Sequence, residues 1–396
     1  MNHLRLSLWL SGVLSFVTAA AFAGEDDYAL RYTAVFDADA HVVHASIQVQ
    51  QSKSALDLID FAAPAPRFDD FSADGKFKRS GGRVRWTPPR TGGALRYTVK
   101  VDHLRGKAFD ARFTDDWALL RLDDVFPSAR TRSNRSAGVT AELRFEGPQG
   151  WAFESRYGKW LDTPLVLPDV ADTRYPRPTG WMLAGKVGIR RDEIAGRQVA
   201  IASPLNHGMR RMDTLSYLSW TLPTLVRLFP GMPDNLLIVA AGKGQWRGGL
   251  SGPGSLYLHV DRPLISENST SPILHELVHV ASRSRMASGE DWLVEGLAEY
   301  YSIKLLRLAG GISQERFEKA LAWQKDWADR EGGKLASPSR GPDTARAVTK
   351  LADLDRRLPG GLDGWLVSEG RDGTLDCASL ARYAKRKDTL FWGCAL

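Results

Sequence analysis

The sequence predicts a multidomain chain: an all-β sandwich-like N-terminal domain followed by an α+β domain. Three observations predict it. Period-two alternation of apolar and polar residues dominates from Tyr28 to about Leu167, helical spacing dominates after about residue 208, and prolines crowd the ground between. The length of 396 residues is a prior for two domains, and 43% hydrophobic residues is enough to build their cores.

Residues 1–23 are expected not to belong to the fold. A short start carrying Arg5 precedes an apolar stretch from Leu6 to Phe22, which ends in Ala21-Phe22-Ala23. Small residues at those two alanine positions fit signal-peptidase cleavage after Ala23, and no cysteine follows to carry a lipid anchor. The chain is therefore expected to be exported, periplasmic or secreted. No later run is long and apolar enough for a membrane helix, so no stable membrane insertion is expected after cleavage.

Residues 24–167 read as the β-sandwich-like domain. "YALRYTAVFD" and "HVVHASIQVQ" alternate strictly, and "RVRWTPP", "ALRYTVKVDH", "WALLRLDDVF" and "VTAELRFEG" follow between the turn signals "SADGK", "SGG" and "RTGG". Pro168, Pro176 and Pro178 mark a boundary, assigned to a linker over 168–180, because proline removes backbone donors. Residues 181–396 form the second domain. It opens with two β-runs over 181–204, then a helical pattern over 208–229 that Pro223 is expected to kink or divide. "NLLIVAAG" reads as a buried strand and "GSLYLHVDR" as an edge strand, with helices over 314–330, 343–357 and 374–386.

Net charge is +7, one less without Arg5, and the basic residues are spread rather than clustered. No nucleic-acid partner is expected from such a pattern. The two cysteines, Cys377 and Cys394, near one end of an exported chain predict a single disulfide.

The chemistry is concentrated in "HELVH" and "WLVEGLAEYY". His275 and His279 are four apart, so a helix places both imidazoles on one face, where they can converge on one ion. Glu276 lies about 100° round that helix, off the ligand line but beside a position open to water. There it can accept a proton from a water that a metal has acidified. Glu295 and Glu299 repeat the four-residue spacing within apolar surroundings; the first can be a third ligand, and the second can accept the remaining N–H of a ligand histidine. Without a metal these residues would be the polar faces of two ordinary helices.

Together the two phrases resemble the gluzincin metallopeptidases, the thermolysin-like zincins, and most of all the glycyl aminopeptidase family, which also carries a β-rich N-terminal half. That resemblance implies a thermolysin-like (zincin) catalytic domain over 181–396 and one Zn2+ per chain. It implies His275, His279 and Glu295 as ligands, Glu276 as general base and Glu299 as the carboxylate behind a histidine. The implied activity is hydrolysis of a peptide or protein substrate. The spacing from His279 to Glu295 is shorter than is usual in those families, and no tyrosine follows near "GPDTARAVTKL" to stabilise an oxyanion. The competing expectation is a degenerate, zinc-binding relative acting as an envelope binding or chaperone module.

Overall fold

The structure, a computed structural model, describes residues 27–159, 164–168, 173–282, 286, 288–370 and 373–386. The expected leader, Cys394 and hence the expected disulfide, and residues 169–172 of the expected linker lie outside these.

Strict alternation in Tyr28–Asp37 buries every second residue, Leu30, Tyr32, Ala34 and Phe36 among them. This strand sits inside a six-stranded sheet, antiparallel to Val42–Gln51 and parallel to Val139–Glu146. A four-stranded sheet (Ala129–Ser133, Leu56–Ala62, Arg83–Thr87, Lys76–Ser80) and a second six-stranded sheet complete the β half around a common core.

The second six-stranded sheet corrects the predicted boundary. Trp181–Gly185, assigned to the second domain, pairs with Trp117–Arg121 and Ala152–Ser155 of the first. Its two faces serve different cores: Met182 and Ala184 point into the β core, Trp181 and Leu183 into a core shared with the sheet of the second half. A strand buried on both faces reads as an unbroken apolar run, which does not say which sheet it joins. The described part of the proline-rich stretch is strapped down, not loose: Tyr32 donates its hydroxyl to the Pro176 carbonyl at 2.9 Å and Arg177 donates to the Phe126 carbonyl at 2.8 Å.

The second half is α+β. A five-stranded sheet runs Val187–Ile194, Arg197–Pro204, Asn235–Ala241, Ser255–His259, Gly249–Gly252, parallel across its three middle strands. One face carries the helices and the largest core; the other meets Trp117, Leu119 and Trp181 of the β half. Three local readings need correction. Helix Arg211–Leu228 is not divided at Pro223, because Leu222 and Leu225 on either side are fully buried and hold it. The edge strand is Gly249–Gly252, while Ser255–His259 lies inside the sheet with every residue buried. A further helix, Gly361–Glu369, was not foreseen. Among the described residues no helix is long and apolar enough to cross a membrane.

Candidate metal centre

The HELVH segment lies on helix Pro272–Ser282. Its start is fixed by Ser271, whose hydroxyl accepts from the Leu274 amide at 3.3 Å and from the Tyr217 hydroxyl at 2.7 Å, with Pro272 in the first helical position. Ile273, Leu274, Leu277, Val278 and Ala281 enter the core. That leaves His275 and His279 turned towards the neighbouring helix, Asp291–Leu308, which carries Glu295 and Glu299. Gly296 sits between the two glutamates because helix Pro342–Arg357 presses there: a Cβ would fall 2.7 Å from that of Ala347.

The structure brings all five predicted residues into one neighbourhood. The Nε2 atoms of His275 and His279 are 3.1 Å apart, and the Glu295 carboxylate stands 3.5 Å from each. These three residues each offer a ligand atom within 4.8 Å of the others. Behind them His275 Nδ1 donates to Glu299 Oε2 at 3.0 Å. That bond keeps a proton on Nδ1 and turns Nε2 towards its counterpart on His279, the nitrogen a metal would take in place of a proton. Two imidazole nitrogens and a carboxylate converging in a half-buried space call for a positive charge between them, either a shared proton or a metal ion in its place. The donor set, two imidazoles and a carboxylate, suits zinc.

The electrostatics agree. Burial would lower the His275 pKa, but the carboxylates of Glu295 and Glu299 outweigh it and hold the ring well above its ordinary value. Burial would raise Glu295, and the two histidines overcome this to hold it below the usual carboxylate range. Glu276 behaves the other way: burial pushes its carboxyl up, against the opposing pull of His275, His279 and the Ser251 amide.

Glu276 is packed on the edge strand. A Cβ at Gly249 would lie 2.6 Å from Glu276 Oε1, so only glycine leaves the carboxylate room. Glu276, the histidines and Glu295 open on one cavity of 740 Å³, whose lining also includes Leu250, Ser251 and Arg121.

Sequence reasoning missed Gln324, Gly249 and Arg121. Gln324 is 2% exposed and donates to Glu299 Oε1 at 3.4 Å. It shares a buried stripe with Ala320 and Ala328, so a polar residue on the apolar side of an otherwise amphipathic helix was the available signal. The two tyrosines that follow Glu299 are engaged elsewhere, Tyr300 donating to Asp355 and Tyr301 to Asp363, each at 2.6 Å. His259 lies in the interior strand and accepts from the Asp261 amide.

By sequence, no family model and no curated protein matches the chain. Solved structures match it in fold. An aminopeptidase N family protein from Idiomarina loihiensis aligns with a TM-score of 0.59 at 14% identity, over 91% of this chain and 70% of that one. An M1 zinc metallopeptidase from Deinococcus radiodurans aligns with a TM-score of 0.56 at 17% identity, over 92% and 90%. Yeast LTA4 hydrolase in complex with bestatin aligns at 0.53 and 12% identity, over 91% and 66%. The chain thus shares the fold of these solved structures over about nine-tenths of its length.

Proposed function

We propose that this protein is an exported zinc metallopeptidase that hydrolyses peptide bonds with Glu276 as general base. The observation that carries the reading is the convergence of His275, His279 and Glu295 beside a buried Glu276 in one cavity. His275, His279 and Glu295 would hold the ion, and Glu299 would fix the His275 tautomer. Zinc, when bound, supplies Lewis acidity to a carbonyl oxygen and to water. Glu276 takes the proton from the attacking water as its oxygen adds to the carbonyl carbon. The same carboxyl then returns that proton to the departing nitrogen as the C–N bond breaks. A raised pKa suits this shuttle, since the carboxyl must both accept and release a proton near neutral pH. Gly249 and the Ser251 amide keep the carboxylate against the strand.

Within the gluzincins we read the chain as similar to the glycyl aminopeptidase family, from the β-rich half that precedes the motif and the leader expected ahead of it. The expected disulfide and cleavage after Ala23 belong to the same proposal; intact mass of the exported protein checks both.

Metal content per chain is the test of the centre. One zinc in the wild type, lost or much weakened in Glu295→Ala, is the expected result; no zinc in either, even after addition, would end the proposal. Glu276→Gln should keep the metal and lose turnover by about a hundredfold or more. A second reading, a zinc-binding module without turnover, is favoured by one observation: among the described residues lining the cavity there is no tyrosine. No peptide cleavage by the wild type or by Glu276→Gln, with zinc bound in both, would select it.

A further inference from the structure

Cations that lie scattered along the sequence gather on one face of the fold. In strand Arg83–Thr87 burial alternates: Val84 and Trp86 are fully buried in the β core, which turns Arg83 and Arg85 outwards. Pairing carries that orientation across the four-stranded sheet, because directly paired residues share a face. Arg130, Asp60, Arg85 and Lys78 form one row over its four strands. Arg132 lies two residues from Arg130 and Lys76 two from Lys78, so both keep to the same side. Six cations thus share the outer face, within an area about 15 Å across. Against them stand two carboxylates. Asp60 receives Arg83 at 2.7 Å and Arg85 at 3.2 Å, and Asp57 accepts from Arg132 at 2.7 Å. Lys76, Lys78 and Arg130 are exposed and enter no ion pair among the described residues.

Cations on an edge strand commonly guard it from pairing with another chain, and Lys76–Ser80 and Ala129–Ser133 are the two edges of this sheet. Arg83 and Arg85 are on an interior strand, where no edge needs guarding. Arg85 moreover stands directly opposite Lys78, a like-charge pair that costs stability and that an anionic partner would relieve. Among the described residues of the four strands no aromatic ring faces outwards: Trp86 is buried, and Phe77 turns the other way, onto Phe71. The face therefore lacks the stacking platforms that hold single-stranded nucleic acid, and the large apolar side chains that enter hydrocarbon. What it offers is a broad array of positive charge, the complement of a plane of anionic headgroups. We propose that the outer face of this sheet docks on an anionic lipid surface, by charge and without insertion into the hydrocarbon. The docking is independent of the chemistry at the metal centre.

The test is co-sedimentation of the purified full chain with vesicles of equal parts phosphatidylglycerol and phosphatidylcholine, beside vesicles of phosphatidylcholine alone. Any partition of the apolar start, Leu6 to Phe22, is common to wild type and variants and cancels between them. Binding should favour the anionic vesicles and fade between about 0.1 M and about 1 M salt, as the screening length shortens from about 10 Å to about 3 Å. Each cation near such a surface is worth about fivefold in binding. Removing the three unpaired ones together, Lys76→Gln with Lys78→Gln and Arg130→Gln, should weaken binding to the anionic vesicles about a hundredfold. Removing as many exposed cations elsewhere, Arg190→Gln with Arg382→Gln and Lys385→Gln, should weaken it less than about tenfold. No preference for the anionic vesicles overturns the proposal, as does a preference that survives the first triple variant or falls equally in the second. So does tighter binding to heparin or to duplex DNA than to the vesicles at equal concentration of negative charge. If the first triple variant does not melt cooperatively, Lys78→Gln alone decides: about a fivefold loss is expected, and unchanged binding overturns the proposal.

Discussion

At the residue scale the centre depends on side chains two contacts away from any ion. Gln324 steadies Glu299, and Glu299 steadies His275. Removing an outer partner of a ligand commonly weakens metal binding by tenfold or more, so Gln324→Ala should lower zinc affinity about tenfold in competition with a chelator. Unchanged affinity would show that Glu299 is held by packing alone. Gly249→Ala should act on the base and spare the ion. Its methyl must displace Glu276 Oε1, so turnover should fall by about tenfold or more while zinc content stays at the wild-type level. The histidines and glutamates were legible in the sequence because a spacing of four on a helix dictates a shared face. Gln324 and Gly249 were not, since each matters only through an approach between elements far apart in the chain.

At the scale of elements, the glutamate-bearing helix is held from behind. Lys304 Nζ lies 2.7 Å from both Asp355 and Asp363, which also accept from Tyr300 and Tyr301. Lys304→Met leaves two partly buried carboxylates without their cation, and should cost about 2–3 kcal/mol in denaturant unfolding. A loss below 1 kcal/mol would mean that solvent takes over the lysine's role. Gly296→Ala must push helix Pro342–Arg357 outwards, and should cost about 1–3 kcal/mol by the same measurement. Strands such as Tyr28–Asp37 were readable because one face is buried and the other is not. The edge strand Gly249–Gly252 was unreadable for the opposite reason: two glycines and a serine carry no alternation, and its place in the sheet is set by pairing with Ser255–His259. Pro223 does not divide its helix because tertiary burial outweighs a single missing hydrogen bond.

On the scale of the whole molecule, the two halves meet through a shared apolar core in which Trp117, Leu119, Trp181 and Leu183 face Leu237, Val239 and Tyr257. Calorimetry should therefore show one unfolding transition for the zinc-loaded chain; two separate transitions would mean that the halves are independent. Asp110 lies near the same junction, in a strand whose Phe109 exchanges backbone hydrogen bonds with Gly244 and Trp246. Burial would raise its carboxyl, but His103 and Arg105 outweigh burial and hold it below the usual range. A depressed folded value means that its contribution is present above the unfolded value of about 4 and is lost as pH falls through the folded one. Asp110→Asn should flatten that acid-side loss of stability in chemical denaturation at a series of pH values. The parallel pairing of Tyr28–Asp37 with Val139–Glu146 has a consequence in time. Its partners stand 111 positions apart, as the Arg31–Glu142 pair does, so the central strand of the first sheet cannot close while the chain between them is still unmade. Such distant closure slows folding towards milliseconds to seconds. A chain that we propose crosses a membrane before it folds would gain from that delay: it stays threadable until its sheet can be completed on the far side.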